Sequence, residues 1–195
     1  MKALVCVTLF VALCAACIAA ESAGSPLDRV HADGWYGWRV EAVVGSQCRC
    51  CSARHGGACD LDSDGGGMIV SNDGPEVSGT LRIYAKMQSG RPVRLRVYGP
   101  GCRVTTGSPV TDLGVVDADS SITWLSRFIE PRNAVSSQLI EAVQAHANER
   151  SVAVLTGIVT NGHDTENRKE ALFWLAQSDS QPAFDFLDRL LTNEH

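Results

Sequence analysis

Residues 110–129 read VTDLGVVDADSSITWLSRFI, and the reading of this stretch decides the fold. Val110–Val116 is short, β-branched and interrupted by a glycine, so it is a last strand or the crossover into helix. From Ser121 the period changes: Ile122, Leu125, Phe128 and Ile129 fall on one helical stripe, with Asp119 or Ser120 available as the N-cap. Strand-type alternation lies before this point and helix-type periodicity after it. The chain therefore reads as α+β: an N-terminal disulfide-stapled antiparallel β domain over 21–116, then a short α-helical repeat of about five helices over 117–195.

Working toward the N-terminus, Thr80–Gln88 (TLRIYAKMQ) sets Leu81, Ile83, Ala85 and Met87 against Arg82, Tyr84, Lys86 and Gln88. After SGRP, Val93–Tyr98 alternates Val93, Leu95 and Val97 with Arg94, Arg96 and Tyr98, which makes a β-hairpin. Arg39–Val44 and Gly67–Val70 supply further strands. The basic residues Arg82, Lys86, Arg91, Arg94 and Arg96 read as one solvated sheet face. GWYGW, residues 34–38, reads as core-packing indoles rather than a sugar-stacking platform.

Residues 47–67, QCRCCSARHGGACDLDSDGGG, carry the only dense cluster of chemistry-bearing side chains. Their meaning depends on compartment. Residues 1–20 hold one lysine followed by an apolar run ending in small residues, the pattern of a cleaved secretory signal. A cut before Cys17 in LCAAC, leaving a lipid anchor there, is the alternative. In an oxidising compartment clustered thiols become bridges. Adjacent Cys50 and Cys51 must reach different partners, for which Cys59 and Cys102 are the candidates, leaving Cys48 as the odd thiol and the pairing open. Zinc wants paired C-x2-C spacings, and C-x-C-C-x7-C around His55 does not supply them. Asp60, Asp62 and Asp64 alternate like the start of a calcium loop, yet position twelve is Ser71 instead of a bidentate Glu, so the segment reads as an acidic turn and no metal or other cofactor is assigned.

The charge balance narrows the partners. With 17 basic and 22 acidic residues the net charge is −5, becoming −6 once Lys2 is removed with the signal. An acidic chain is poorly suited to nucleic acid. No segment after residue 20 is long and apolar enough to span a membrane.

Toward the C-terminus, Ala134–Asn148 carries Val135, Leu139, Ala142, Val143 and Ala147 on one face, and Arg150–Thr160 carries Val152, Leu155, Ile158 and Val159. Glu166–Gln177 carries Ala171, Leu172, Leu175 and Ala176, flanked by Phe173 and Trp174. A last helix, opened by Pro182, presents Phe184, Leu187, Leu190 and Leu191; it is expected to close the array with Asp185, Asp188 and Arg189 turned outward, the alternative being that its exposed side meets a partner. AVQAHAN (142–148) aligns with ALFWLAQ (171–177) at an offset of 29, and VAVLTGIVTN (152–161) with FDFLDRLLTN (184–193) at 32. A period near 30 is that of a helix-pair solenoid.

The segment RKEALFWLAQSDSQPAFDFLDRLL, 168–191, resembles the HEAT-like helical repeats of exported bacterial proteins. That resemblance implies a repeat core of Leu139, Val143, Leu155, Leu172, Trp174, Leu175, Leu187 and Leu190, a protein partner and no catalytic residues. His163 sits in the loop NGHDTEN, where Asp164 or Thr165 caps the next helix, and His146 reads as a packing residue. No G-x-S-x-G elbow, phosphate loop or H-E-x-x-H pair is present. The expectation is a non-enzymatic interaction protein of the bacterial envelope, periplasmic or secreted. A ligand- or calcium-responsive binding module is the second reading.

Overall fold

A computed structural model describes residues 24–41, 58–63, 80–99, 102–131 and 133–192. The signal-like run, Cys17, Cys48, Cys50, Cys51, His55, Asp64 and the expected strand at 67–70 lie outside them.

A 3-10 turn, Pro26–Arg29, leads into β1 (Gly34–Glu41); β2 (Ala58–Asp60), β3 (Thr80–Gln88), β4 (Arg91–Tyr98), β5 (Arg103–Thr105) and β6 (Val110–Val115) follow. The helices are α1 (Ala118–Ser126), α2 (Ser136–Gln144), α3 (Glu149–Asn161), α4 (Thr165–Ala176) and α5 (Gln181–Thr192). Four strands form one sheet in the order β4-β3-β1-β6, and β2 and β5 form a separate two-stranded ribbon.

The expected antiparallel domain is corrected on one decisive point. β1 pairs antiparallel with β3 but parallel with β6, and β2 and β5 are also parallel, so the sheets are mixed. Val110–Val115 is thus a strand that returns beside β1 and delivers the chain directly into α1. The expected C-terminal repeat is corrected as well. One core runs from Trp38, Val40, Leu81, Ile83 and Leu95 of the sheet into Ile122, Leu125, Leu139, Val143, Leu155 and Leu175 of the helices. The five helices form a small domain packed on the sheet, because α1 meets β1 and α2 meets β4 while both also pack on the other helices. Of the expected repeat core, Leu139, Val143, Leu155 and Leu175 are buried, whereas Leu172, Trp174, Leu187 and Leu190 are only half-buried.

Local chemistry explains the elements. In β3, Leu81, Ile83, Ala85 and Met87 are all buried, as a period of two requires. The hairpin closes through Ser89 and Gly90, both at positive φ, the conformation of a type I′ turn, and Asp33 Oδ1 accepts from Ser89 N at 2.7 Å. A register shift opposite Lys86 and Met87 leaves Val93 unpaired and exposed, so the expected Val93–Leu95–Val97 stripe is broken by a bulge. Asp117, rather than Asp119 or Ser120, caps α1 by accepting from Ser120 N at 2.8 Å. Asn148 and Ser151 form a reciprocal capping box on α3, and Asp164 accepts from Glu166 N and Asn167 N on α4. β4 is an edge strand, and α2 covers it: Gln138 Oε1 accepts from Leu95 N at 2.7 Å.

Candidate functional site

The two faces of the sheet do different work. Trp38 and Tyr36 point toward the helices and Trp35 toward the ribbon, and all three are buried, which rules out GWYGW as a stacking platform. Between them, Gly37 is required by close packing. A Cβ there would meet the Tyr84 ring at 3.1 Å and Val110 at 3.2 Å.

On the ribbon side a second small core joins Trp35, Cys59, Leu61, Tyr98 and Cys102. Cys59 and Cys102 are both disulfide-bonded; Cys50 and Cys51, their expected partners, lie outside the described residues. The basic strand residues are not a solvated face. Asp62 accepts from Trp35 Nε1 at 3.1 Å, Lys86 Nζ at 2.9 Å, Thr106 Oγ1 at 2.8 Å and Gly107 N at 2.9 Å. Arg94 donates to the carbonyls of Leu61, Asp62 and Ser63, Arg96 donates to Ser63 O, and Arg91 pairs with Glu130. The Lys86 ammonium, followed by the Gly107 amide, holds the Asp62 carboxyl far below the usual carboxylate range. Its oxygens are occupied by protein donors, with a lysine where a cation would sit. The acidic turn is a latch between ribbon and sheet.

A second constellation resembles a hydrolase dyad. His146 Nε2 lies 2.9 Å from Ser121 Oγ, and Trp38 Nε1 donates to the same oxygen at 2.9 Å. His146 Nδ1 faces the Ala142 carbonyl at 2.8 Å, which only accepts, so Nδ1 carries the proton. Burial depresses the imidazole pKa and keeps the ring neutral, so Nε2 accepts from the Ser121 hydroxyl. Ser121 and His146 are both fully enclosed, and a nucleophile must meet substrate. The chain Trp38–Ser121–His146–Ala142 O is therefore a satisfied polar bolt joining β1, α1 and α2 through the core. His146, expected as a half-buried packing residue on a helix flank, is instead fully buried just past α2 and hydrogen-bonded at both ring nitrogens; the bolt is invisible in sequence because its first link spans 83 positions.

A carboxylate cluster stands at the α2–α4 contact. Glu141 is pushed up to about 7, first by burial and then by Glu170, against the pull of Arg96. Glu170 Oε1 accepts from Trp174 Nε1 at 2.9 Å.

An accessible feature with both shape and chemistry is a groove of about 630 Å³ between α3, α4 and α5. Val159, Leu172, Phe186 and Leu190 supply its apolar lining, and Arg168, Lys169 and Arg189 its charge. Arg168 Nε donates to Val159 O at 2.9 Å, which fixes its guanidinium at the end of α3. Elsewhere on α4 and α5, Phe173, Phe184 and Leu191 are exposed by 53%, 49% and 70%. α5 was expected to close the helical layer, but Ala183 is its only fully buried residue among those described. Leu172 and Leu190, read from sequence as repeat core, line this groove instead. Sequence reasoning placed Val159 on a packing stripe and turned Arg189 outward, and assigned no site role to Arg168 or Phe186; the available signal was a cation one turn from an apolar residue, Arg168 beside Leu172 and Arg189 beside Phe186.

Among the described residues no group of three or more His, Cys, Asp and Glu side chains is placed to hold a metal, and no helix is long and apolar enough to cross a membrane. No family model, curated protein or solved structure matches the chain. The functional reading rests on geometry.

Proposed function

We propose that the protein is a non-enzymatic interaction module of the bacterial cell envelope, periplasmic or secreted, which docks a protein partner through its last three helices. The observation that carries this reading is the groove between α3, α4 and α5, lined by Val159, Leu172, Phe186 and Leu190 together with Arg168, Lys169 and Arg189. Accessible apolar surface with a polar border marks an interaction site. Export is supported by the signal-like residues 1–20 and by disulfide-bonded Cys59 and Cys102, since such bonds persist in oxidising compartments. Cys17 offers a lipid anchor as a variant of the same placement.

Catalysis is disfavoured because the Ser–His pair is sealed in the core. The calcium-responsive reading is disfavoured because Asp62 already receives four donors. Crosslinking in the intact envelope, with crosslinked residues mapped by mass spectrometry, is the test. A protein partner joined through α3–α5 is expected; a chain that crosslinks to no protein while turning over a substrate defeats the proposal.

A further inference from the structure

The groove carries enough chemistry to say what kind of partner segment fits it, given the interaction role above. Its lining comes from three helices and offers apolar side chains, so an occupant gains most by burying its own apolar stripe. Among the described residues no strand lines the groove, so its walls offer no strand edge for backbone pairing. A segment that satisfies its own backbone while presenting an apolar stripe is an amphipathic helix.

The charge on the walls sets the rest. Lys169 is already paired with Glu166 at 2.9 Å. Arg168 and Arg189 form no ion pair among the described residues, and Arg168 is held in place by its bond to the Val159 carbonyl. A guanidinium pinned through Nε presents its remaining N–H groups as a fixed fork, which suits a carboxylate more than any neutral group. We propose that the α3–α4–α5 groove binds an amphipathic helix of another protein, whose apolar stripe covers Leu172, Phe186 and Leu190 while flanking Asp or Glu side chains meet Arg168 and Arg189.

Self-association is the competing occupant, since α5 itself carries Asp185 and Asp188 beside Phe184 and Leu191. Seating that outer face in the groove of a second copy is a heterologous contact, which gives rings or open filaments and so a mass that grows with concentration. An anionic membrane is opposed by the net charge of −5.

The test uses the full mature chain, a fluorescent synthetic helix of leucine, alanine and glutamate, and its twin with lysine for glutamate. Anisotropy titration is expected to show the acidic helix binding at least about tenfold tighter, with the preference shrinking as salt rises. Arg189→Glu, at an exposed position, is expected to invert the preference. Arg168→Lys, which keeps the charge and loses the fork, is expected to weaken the acidic helix severalfold. Equal binding of the two helices, or of neither, overturns the proposal. So does binding to anionic vesicles without binding to the helix, or a concentration-dependent oligomer that Arg189→Glu abolishes. A protein partner crosslinked through α3–α5, with no binding of either synthetic helix, overturns this inference and leaves the interaction role standing.

Discussion

α1 and α5 teach opposite lessons about what an amphipathic helix does. α1 has nine residues and buries Ser121, Ile122, Trp124 and Leu125 completely or nearly so. Its Trp124 stacks edge-on against Trp38 at 5.4 Å and Phe128 at 4.9 Å, and its serine carries the central link of the buried polar bolt. α5 has twelve residues with a clear apolar stripe, and that stripe lies largely on the surface. α1 sits between the sheet and the other helices and is covered on several sides, whereas among the described residues α5 packs chiefly on α3 and α4 and keeps an exposed flank. A stripe in sequence says that a face wants cover. It does not say whether the chain itself provides it.

That contrast can be broken by experiment, beginning with the core. Leu125→Ala in α1 is expected to cost about 3 to 4 kcal/mol by denaturant unfolding, since it opens a cavity where sheet and helices meet. A cost below about 1 kcal/mol denies that the two layers share one core.

The polar bolt comes next. His146→Leu leaves the Ser121 hydroxyl without its acceptor and is expected to cost about 2 to 3 kcal/mol at pH 7.5. The imidazole pKa is depressed below its usual 6.5 in the folded state, so the stability it contributes is present above 6.5 and lost as pH falls below it. A stability–pH curve whose decline below 6.5 flattens in His146→Leu confirms the neutral, buried ring; an unchanged slope refutes it.

Glu141 has the opposite sign. Its folded pKa of about 7 exceeds its usual 4.5, so the folded state holds the extra proton, and stability falls as pH rises between those values. Glu141→Gln is expected to add about 2 kcal/mol at pH 8 and nothing at pH 4, measured by thermal melts at both. Equal effects at the two pH values exclude a protonated Glu141 in the α2–α4 contact.

The smallest effect belongs to α5. Leu191→Ser is expected to change stability by less than about 0.5 kcal/mol. A large loss there places α5 inside the core and removes the argument that its flank awaits a partner.

Local rules carried part of this structure. The alternation of β3, the hairpin through Ser89 and Gly90, Asp164 as the cap of α4 and the presence of five helical segments were legible, because each rests on residues a few positions apart. The bulge at Val93 was not, since it depends on how β4 registers against Lys86 and Met87. The helix-pair reading erred for a related reason. Similar apolar spacing in α2 and α4 leaves open what each face covers, and α2 packs on β4, with Gln138 satisfying the strand edge and Leu139 and Ile140 entering the core. The groove was half legible: Leu172 and Leu190 were singled out, but as buried core, and Arg189 was read only as an outward charge, with no role given to Arg168.

By itself, the sequence determined the hairpin, the helical character of the C-terminal half, the position where strand gives way to helix, and the acidic balance that disfavours nucleic acid. Only the tertiary structure decided that β6 returns parallel to β1, that Trp38 meets Ser121 and His146, that Asp62 is latched by Lys86, and that Arg168 and Arg189 flank one groove. The first set follows from dihedral preference and side-chain period, which act over a turn or a strand. The second depends on which distant segments bury each other, and that is fixed by the energy of the whole core rather than by any window of the chain.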